Sequence, residues 1–167
     1  EIIDSPGLNE HRSRTTVTTK YLNSVDAVVF LMSCQALASQ TELTAIDRDI
    51  RGNGHEALFF VCNRFDEIRE KHRDRIKQYG LDKLSGRTSF GEKGVFFVSS
   101  VDALDGRIEG NEDLVAQSGI PKLEAVLNDF LLNQRGRVKL SQPCKELTIM
   151  LGDVLAVHIP SKMDLLN

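Results

Sequence analysis

Apolar residues in this chain come as short unbroken blocks separated by polar or helix-periodic stretches. Residues 27–32, 57–61 and 95–98 are such blocks, and Ile2-Ile3 reads as the remnant of another. Continuous runs rich in Val and Phe mark strands buried on both faces, as in a parallel sheet. Between them the spacing changes to that of helices. Val17, Tyr21 and Val25 step by four. Ser39-Gln40-Thr41-Glu42 has the form of a capping box and leads into Leu43, Ile46 and Ile50, with Gly52-Asn53-Gly54 as the stop signal. Residues 67–79 are densely charged with few apolar anchors, which predicts a solvated surface helix. A Gly- and Ser-rich stretch, 80–94, is expected to return the chain to the sheet. A polar loop is expected over 105–119, before a helix that carries Pro121 in its first turn and Leu123, Val126, Leu127, Phe130 and Leu131 on one stripe.

This alternation predicts an α/β fold: a mostly parallel sheet of the P-loop NTPase type with flanking helices. From about Gly136 the pattern changes. Leu147, Met150, Leu151, Val154, Leu155 and His158 fall on one helical stripe with no further strand signal. Two domains are expected, 1–136 in the α/β core and 137–167 as the start of a helical neck or stalk. A terminal helix packing back on the sheet is the alternative.

Three strand ends carry chemistry. After Ile2-Ile3 comes Asp4-Ser5-Pro6-Gly7-Leu8-Asn9, of the form DxPG. An acid at the carboxyl end of a parallel strand points into the crevice where such sheets bind ligands. There Asp4 could hold Mg²⁺ through water, and Gly7 would let a backbone N–H approach a terminal phosphate past Pro6. The same four residues also suit an ordinary turn. After the 57–61 block comes Asn63-Arg64-Phe65-Asp66, of the form NxxD. Guanine presents N1–H and N2–H₂ side by side, and one fixed carboxylate, Asp66, can accept from both. Asn63 would brace the loop, and the Arg64 stem and guanidinium plane could lie along the purine. A capped strand end opening a charged helix is the plainer alternative. Val98-Ser99-Ser100 closes the third block, where Ser99 could offer an N–H to guanine O6 and a hydroxyl to support Asp66, with Ser100 beside it. Each motif is weak alone; their order, each at a strand end, points to a guanine-nucleotide site.

The order DxPG, NxxD, VSS resembles the translation-factor-related GTPases, and the chain as a whole is similar to the dynamin superfamily, in particular bacterial dynamin-like proteins. The resemblance rests on the segments above, on the 27–32 strand and on Ser118-Gly119-Ile120-Pro121-Lys122-Leu123, which leads into a helix ending near Gly136. It implies GTP as substrate with Mg²⁺ as cofactor and GTP hydrolysis. It further implies a homo-dimer or oligomer paired through GTPase domains, and membrane remodelling through lipid-binding regions outside this segment. A cytoplasmic protein, peripheral at the inner face of a membrane, is what that resemblance implies. The sequence contains no GxxxxGK[ST], and it opens at Glu1 inside a strand remnant. A phosphate loop is therefore expected upstream, no catalytic residue is assigned, and the segment alone is expected to be inactive. A GTPase-like interaction module without turnover and a small cytosolic assembly GTPase are the alternatives.

Composition narrows the rest. A net charge of -3 supplies no basic field for nucleic acid. Residues 69–77 alternate basic and acidic groups, which suits a solvated face better than an anionic-lipid patch. Cys34, Cys62 and Cys144 are far apart, and the first two sit at the ends of apolar runs, which predicts reduced, buried thiols. The four histidines lack partners at ligand spacing, which argues against zinc.

Overall fold

The structure, a computed structural model, describes residues 25–134 together with Cys144, 147–152 and Val154. They fall into two compact units divided between Asn128 and Asp129.

In the first unit three strands, β1 (Val28–Ser33), β2 (Leu58–Asn63) and β3 (Val95–Phe97), form a parallel sheet in the order β1-β2-β3. Their register sets Ser33 beside Asn63 and Cys62 beside Phe97, so the carboxyl ends of all three strands lie nearly level. This is the expected α/β arrangement of a P-loop GTPase-like fold. All three apolar blocks became strands because continuous Val and Phe suit a pleated surface covered by other elements.

Burial on both faces holds for β2, whose Leu58, Phe59, Phe60 and Cys62 are wholly buried. One core takes Leu58, Phe60, Cys62 and Met32 against Leu43, Ile46, Ile50 and Leu84 of the covering helices. On the opposite face Phe59 stacks on Phe90 with ring centroids 4.5 Å apart. At β1 the expectation fails on one side: Val29 is 42% and Leu31 66% exposed. No element among the described residues covers that side of the strand, whereas β2 is flanked by a strand on each edge and covered on both faces.

Helix α1 (Gln40–Ala45) begins as the sequence predicts. Ser39 Oγ accepts from Glu42 N–H at 3.3 Å, and Glu42 Oε2 accepts from Ser39 N–H at 2.9 Å, a complete capping box. The helix widens into a π-helical turn, Ile46–Ile50, and stops at Gly54, whose φ is 86°. Helix α2 (Glu70–Leu84) outruns its expected end at Tyr79. Gly80 is helical there because Phe97 lies against it: a Cβ at Gly80 would stand 2.7 Å from Phe97 Cζ. The glycine reflects a close approach of helix to sheet, not a stop.

The expected polar loop over 105–119 is instead two helices, α3 (Ser100–Glu109) and α4 (Glu112–Gln117). Their caps explain them. Ser99 Oγ accepts from Asp102 N–H at 3.1 Å, Gly110 closes α3 at φ 70°, and Asn111 Oδ1 accepts from Leu114 N–H at 3.1 Å. Helix α5 (Ile120–Asp129) carries Pro121 in its first turn and passes into a π-helical turn, Phe130–Gln134. The helix expected from Val17 to Val25 lies outside the described residues but for Val25. In the second unit residues 147–152 are helical, with Leu147, Met150 and Leu151 exposed; Leu155 and His158 of that stripe lie outside the described residues. No helix among the described residues is long and apolar enough to cross a membrane.

Cys34 and Cys62 are buried free thiols, and the Cys34 Sγ donates to the Cys62 carbonyl at 3.2 Å. Burial, helped by the nearby charge of Asp66, pushes the Cys34 thiol up to about 12, and burial raises Cys62 as well. Since the thiolate is the reactive form, alkylation of the native protein at pH 8 is expected to label Cys144, which is exposed, and to reach Cys34 and Cys62 only after denaturation. Peptide mass mapping checks this; label on native Cys34 would contradict the packing of the β1 end.

Candidate functional site

Of the residues expected from sequence, Asn63, Arg64, Asp66, Ser99 and Ser100 lie at the carboxyl ends of β2 and β3. Asn63 ends β2, and its side chain reaches across to the first residue of α3. Ser100 Oγ lies 2.6 Å from Asn63 Nδ2 and 2.9 Å from Asn63 Oδ1, and Ser100 N–H donates to Asn63 Oδ1 at 3.1 Å. These bonds span 37 residues of chain and clamp the two motif loops together. The backbone continues the clamp: Val98 N–H donates to the Cys62 carbonyl at 2.9 Å and Phe65 N–H to the Val98 carbonyl at 3.0 Å.

Arg64 stands in the left-handed region at φ 61°, unusual for a residue with a Cβ, and its side chain is 60% exposed. That kink turns Phe65 inward and leaves the Arg64 side chain in solvent. The Phe65 ring packs 5.6 Å from Phe97, with the Arg73 guanidinium 5.4 Å and the Lys77 ammonium 5.2 Å from its centroid. Arg73 Nε also donates to the Ile68 carbonyl at 3.1 Å, so α2 holds the loop from one side.

Asp66 follows, partly buried, and its Oδ1 is buried without a hydrogen-bond partner. A carboxylate oxygen withdrawn from water and left unpaired costs about 1–3 kcal/mol or more. Such a group is expected where a ligand supplies the missing donors.

Ser99 is drawn inward. It is 4% exposed, its hydroxyl caps α3, and its N–H donates to the Ser118 carbonyl at 2.9 Å. Both groups are therefore engaged within the protein, and Ser99 immediately precedes the Ser100 that bonds Asn63. The Ser118-Gly119 turn was singled out in the sequence only by resemblance, yet it underlies the whole cluster. Ser118 is 2% exposed, and its Oγ donates to the Val115 carbonyl at 2.6 Å and accepts from Ile120 N–H at 3.2 Å. Gly119, at φ 78°, comes so near β3 that a Cβ would stand 2.5 Å from the Phe97 carbonyl oxygen. A glycine before a Pro-containing helix start was the available signal; that it packs under the base motif was not readable from it. Asp4, Pro6 and Gly7 lie outside the described residues.

A parallel sheet with helices between its strands and polar loops gathered at the strand carboxyl ends fits a P-loop GTPase-like α/β fold. The family model described as the Dynamin family matches residues 1–65. A "Bacterial dynamin-like protein" of Nostoc punctiforme is 29% identical over 160 residues, covering 85% of this chain and 23% of that protein. An "Uncharacterized protein in xynA 3'region" of Caldicellulosiruptor sp. is 27% identical over 155 residues, covering 90% of this chain and 37% of that protein. With the motif order, these matches make the chain similar to the dynamin family. It spans well under half the length of either relative.

Proposed function

We propose that this segment supplies the base-reading half of a GTP site in a dynamin-like GTPase. The observation that carries the reading is the buried, unpartnered Oδ1 of Asp66 beside the Asn63–Ser100 clamp, at the carboxyl end of a parallel strand. In this reading Asp66 accepts from guanine N1–H and N2–H₂. Asn63 and Ser100 hold the two loops in register, Arg64 lies along the purine face, and Ser99 positions Ser100. Asp4, Pro6 and Gly7 are proposed for the phosphate end on sequence grounds, Asp4 with Mg²⁺, which when bound neutralises charge on the phosphates. Similarity to the dynamin family supports hydrolysis of GTP, pairing of GTPase domains and action at a membrane as proposals for the full-length protein. The same reading takes residues 1–136 as GTPase-domain sequence and 137–167 as the start of a helical neck.

The direct test is nucleotide binding by the full-length protein with Mg²⁺. Fluorescent N-methylanthraniloyl-GDP is expected to bind and to be displaced by GTP, but not by equal ATP. Displacement by GTP and ATP alike would defeat the assignment of Asp66.

A further inference from the structure

We infer that Glu67 is a positioning residue for the base-reading loop, holding Arg64 on one side and the turn after β1 on the other, so that it sets how long a nucleotide stays bound without deciding which base is read. The inference rests on the guanine-site reading of this loop.

The left-handed backbone at Arg64 is strained by about 1–3 kcal/mol, so the loop needs ties that over-determine it. Phe65 and Arg73 provide them on the α2 side. Glu67 provides them on the other. Its N–H donates to the Arg64 carbonyl at 3.3 Å. Of its carboxylate oxygens, Oε2 accepts from Gln35 Nε2, and Oε1 stands 3.8 Å from Arg64 Nη1. Gln35 belongs to the 3-10 turn Cys34–Ala36 that follows β1, and its N–H donates to Ser33 Oγ at 3.2 Å. One carboxylate thus bridges the ends of two neighbouring strands, 32 residues apart in sequence.

The Glu67 side chain is 37% exposed and that of Arg64 60%, so the pair adds little to folding stability. What it changes is the freedom of Arg64. A long side chain already confined near the purine loses fewer rotamers when the base arrives, and that difference appears in the lifetime of the complex. The Asp66 carboxylate, which reads the base, is not part of this bridge.

The test compares release of N-methylanthraniloyl-GDP from full-length wild type, Glu67→Ala, Glu67→Gln, Arg64→Ala and the Arg64→Ala/Glu67→Ala double variant, with melting of the nucleotide-free proteins in parallel. Glu67→Ala is expected to speed release about two- to fivefold, the range an exposed ion pair carries. Its preference for GTP over ATP and its nucleotide-free melting should be unchanged. Glu67→Gln keeps an acceptor for Gln35 without the charge and should fall between. The double variant should release no faster than Arg64→Ala alone. Wild-type release from Glu67→Ala, full additivity with Arg64→Ala, or melting that falls in step with release would each overturn the inference. If Asp66→Asn loses guanine preference while Glu67→Ala releases normally, the inference about Glu67 fails alone. If Asp66→Asn keeps its preference, the guanine reading fails and this inference falls with it.

Discussion

Replacing Asp66 by Asn in the full-length protein is expected to weaken GDP and GTP binding by about 10²- to 10⁴-fold, the loss of two charge-assisted hydrogen bonds at about 1.5–3 kcal/mol each. The amide offers an N–H₂ where guanine also offers N–H groups, so donor meets donor. Xanthine carries a carbonyl in place of the guanine N2–H₂, and the introduced amide can donate to it. Preference should therefore move from GTP toward XTP, read by competition against a fluorescent xanthine or guanine nucleotide. The free protein should not suffer. Its Asp66 Oδ1 is buried without a partner, so a neutral side chain of the same shape should leave nucleotide-free stability equal or higher. The stabilisation that GDP gives to wild type through linkage should vanish. A GTP-to-ATP ratio unchanged by the substitution would falsify the base-reading role.

Gly119→Ala should produce the largest loss of stability outside the apolar core, about 2–5 kcal/mol. Two penalties add. A Cβ at φ 78° costs about 1–2 kcal/mol. A contact of 2.5 Å with the Phe97 carbonyl, which cannot rotate away like a side chain, forces the backbone to shift at about 1–3 kcal/mol. Gly110→Ala is the control, because Gly110 has φ 70° but open space around its would-be Cβ. It should lose only the first penalty. Urea unfolding of the two variants separates the terms, and equal losses would show that the close approach of the Ser118-Gly119 turn to β3 does not limit stability. Nucleotide binding should also weaken in Gly119→Ala beyond what partial unfolding explains. The Ser118 carbonyl holds Ser99 N–H, and Ser99 places the Ser100 that clamps Asn63.

Much of this architecture was legible residue by residue. The blocks at 27–32, 57–61 and 95–98 are short, Val- and Phe-rich runs with no polar alternation, which suit strands of a parallel sheet. The box at Ser39 and Glu42 named its own helix start, because both capping bonds are local. Where sequence reading went astray, either a long-range contact overruled a local signal or local caps outweighed polar composition. Gly80 looked like a helix end, yet Phe97, well beyond it in the chain, needs the space it leaves. Residues 105–119 looked like a loop because they are polar; the caps at Ser99, Gly110 and Asn111 make helices of them. The hydroxyl and N–H of Ser99, expected from sequence at the base, are bonded to α3 and to the Ser118 carbonyl.

Residue type and near-neighbour spacing were enough for the strand blocks and for the motif order DxPG, NxxD and VSS, on which the resemblance to the dynamin family rests. Which groups face one another was settled only by folding. Strand register set Asn63 against Ser100 across 37 residues, left one oxygen of Asp66 buried and unpaired, bridged Gln35 to Arg64 through Glu67, and pressed Gly119 onto the Phe97 carbonyl. Each of these depends on where the sheet and its loops carry a residue in space, and a parallel sheet brings together chain segments whose separation in sequence says nothing of that meeting.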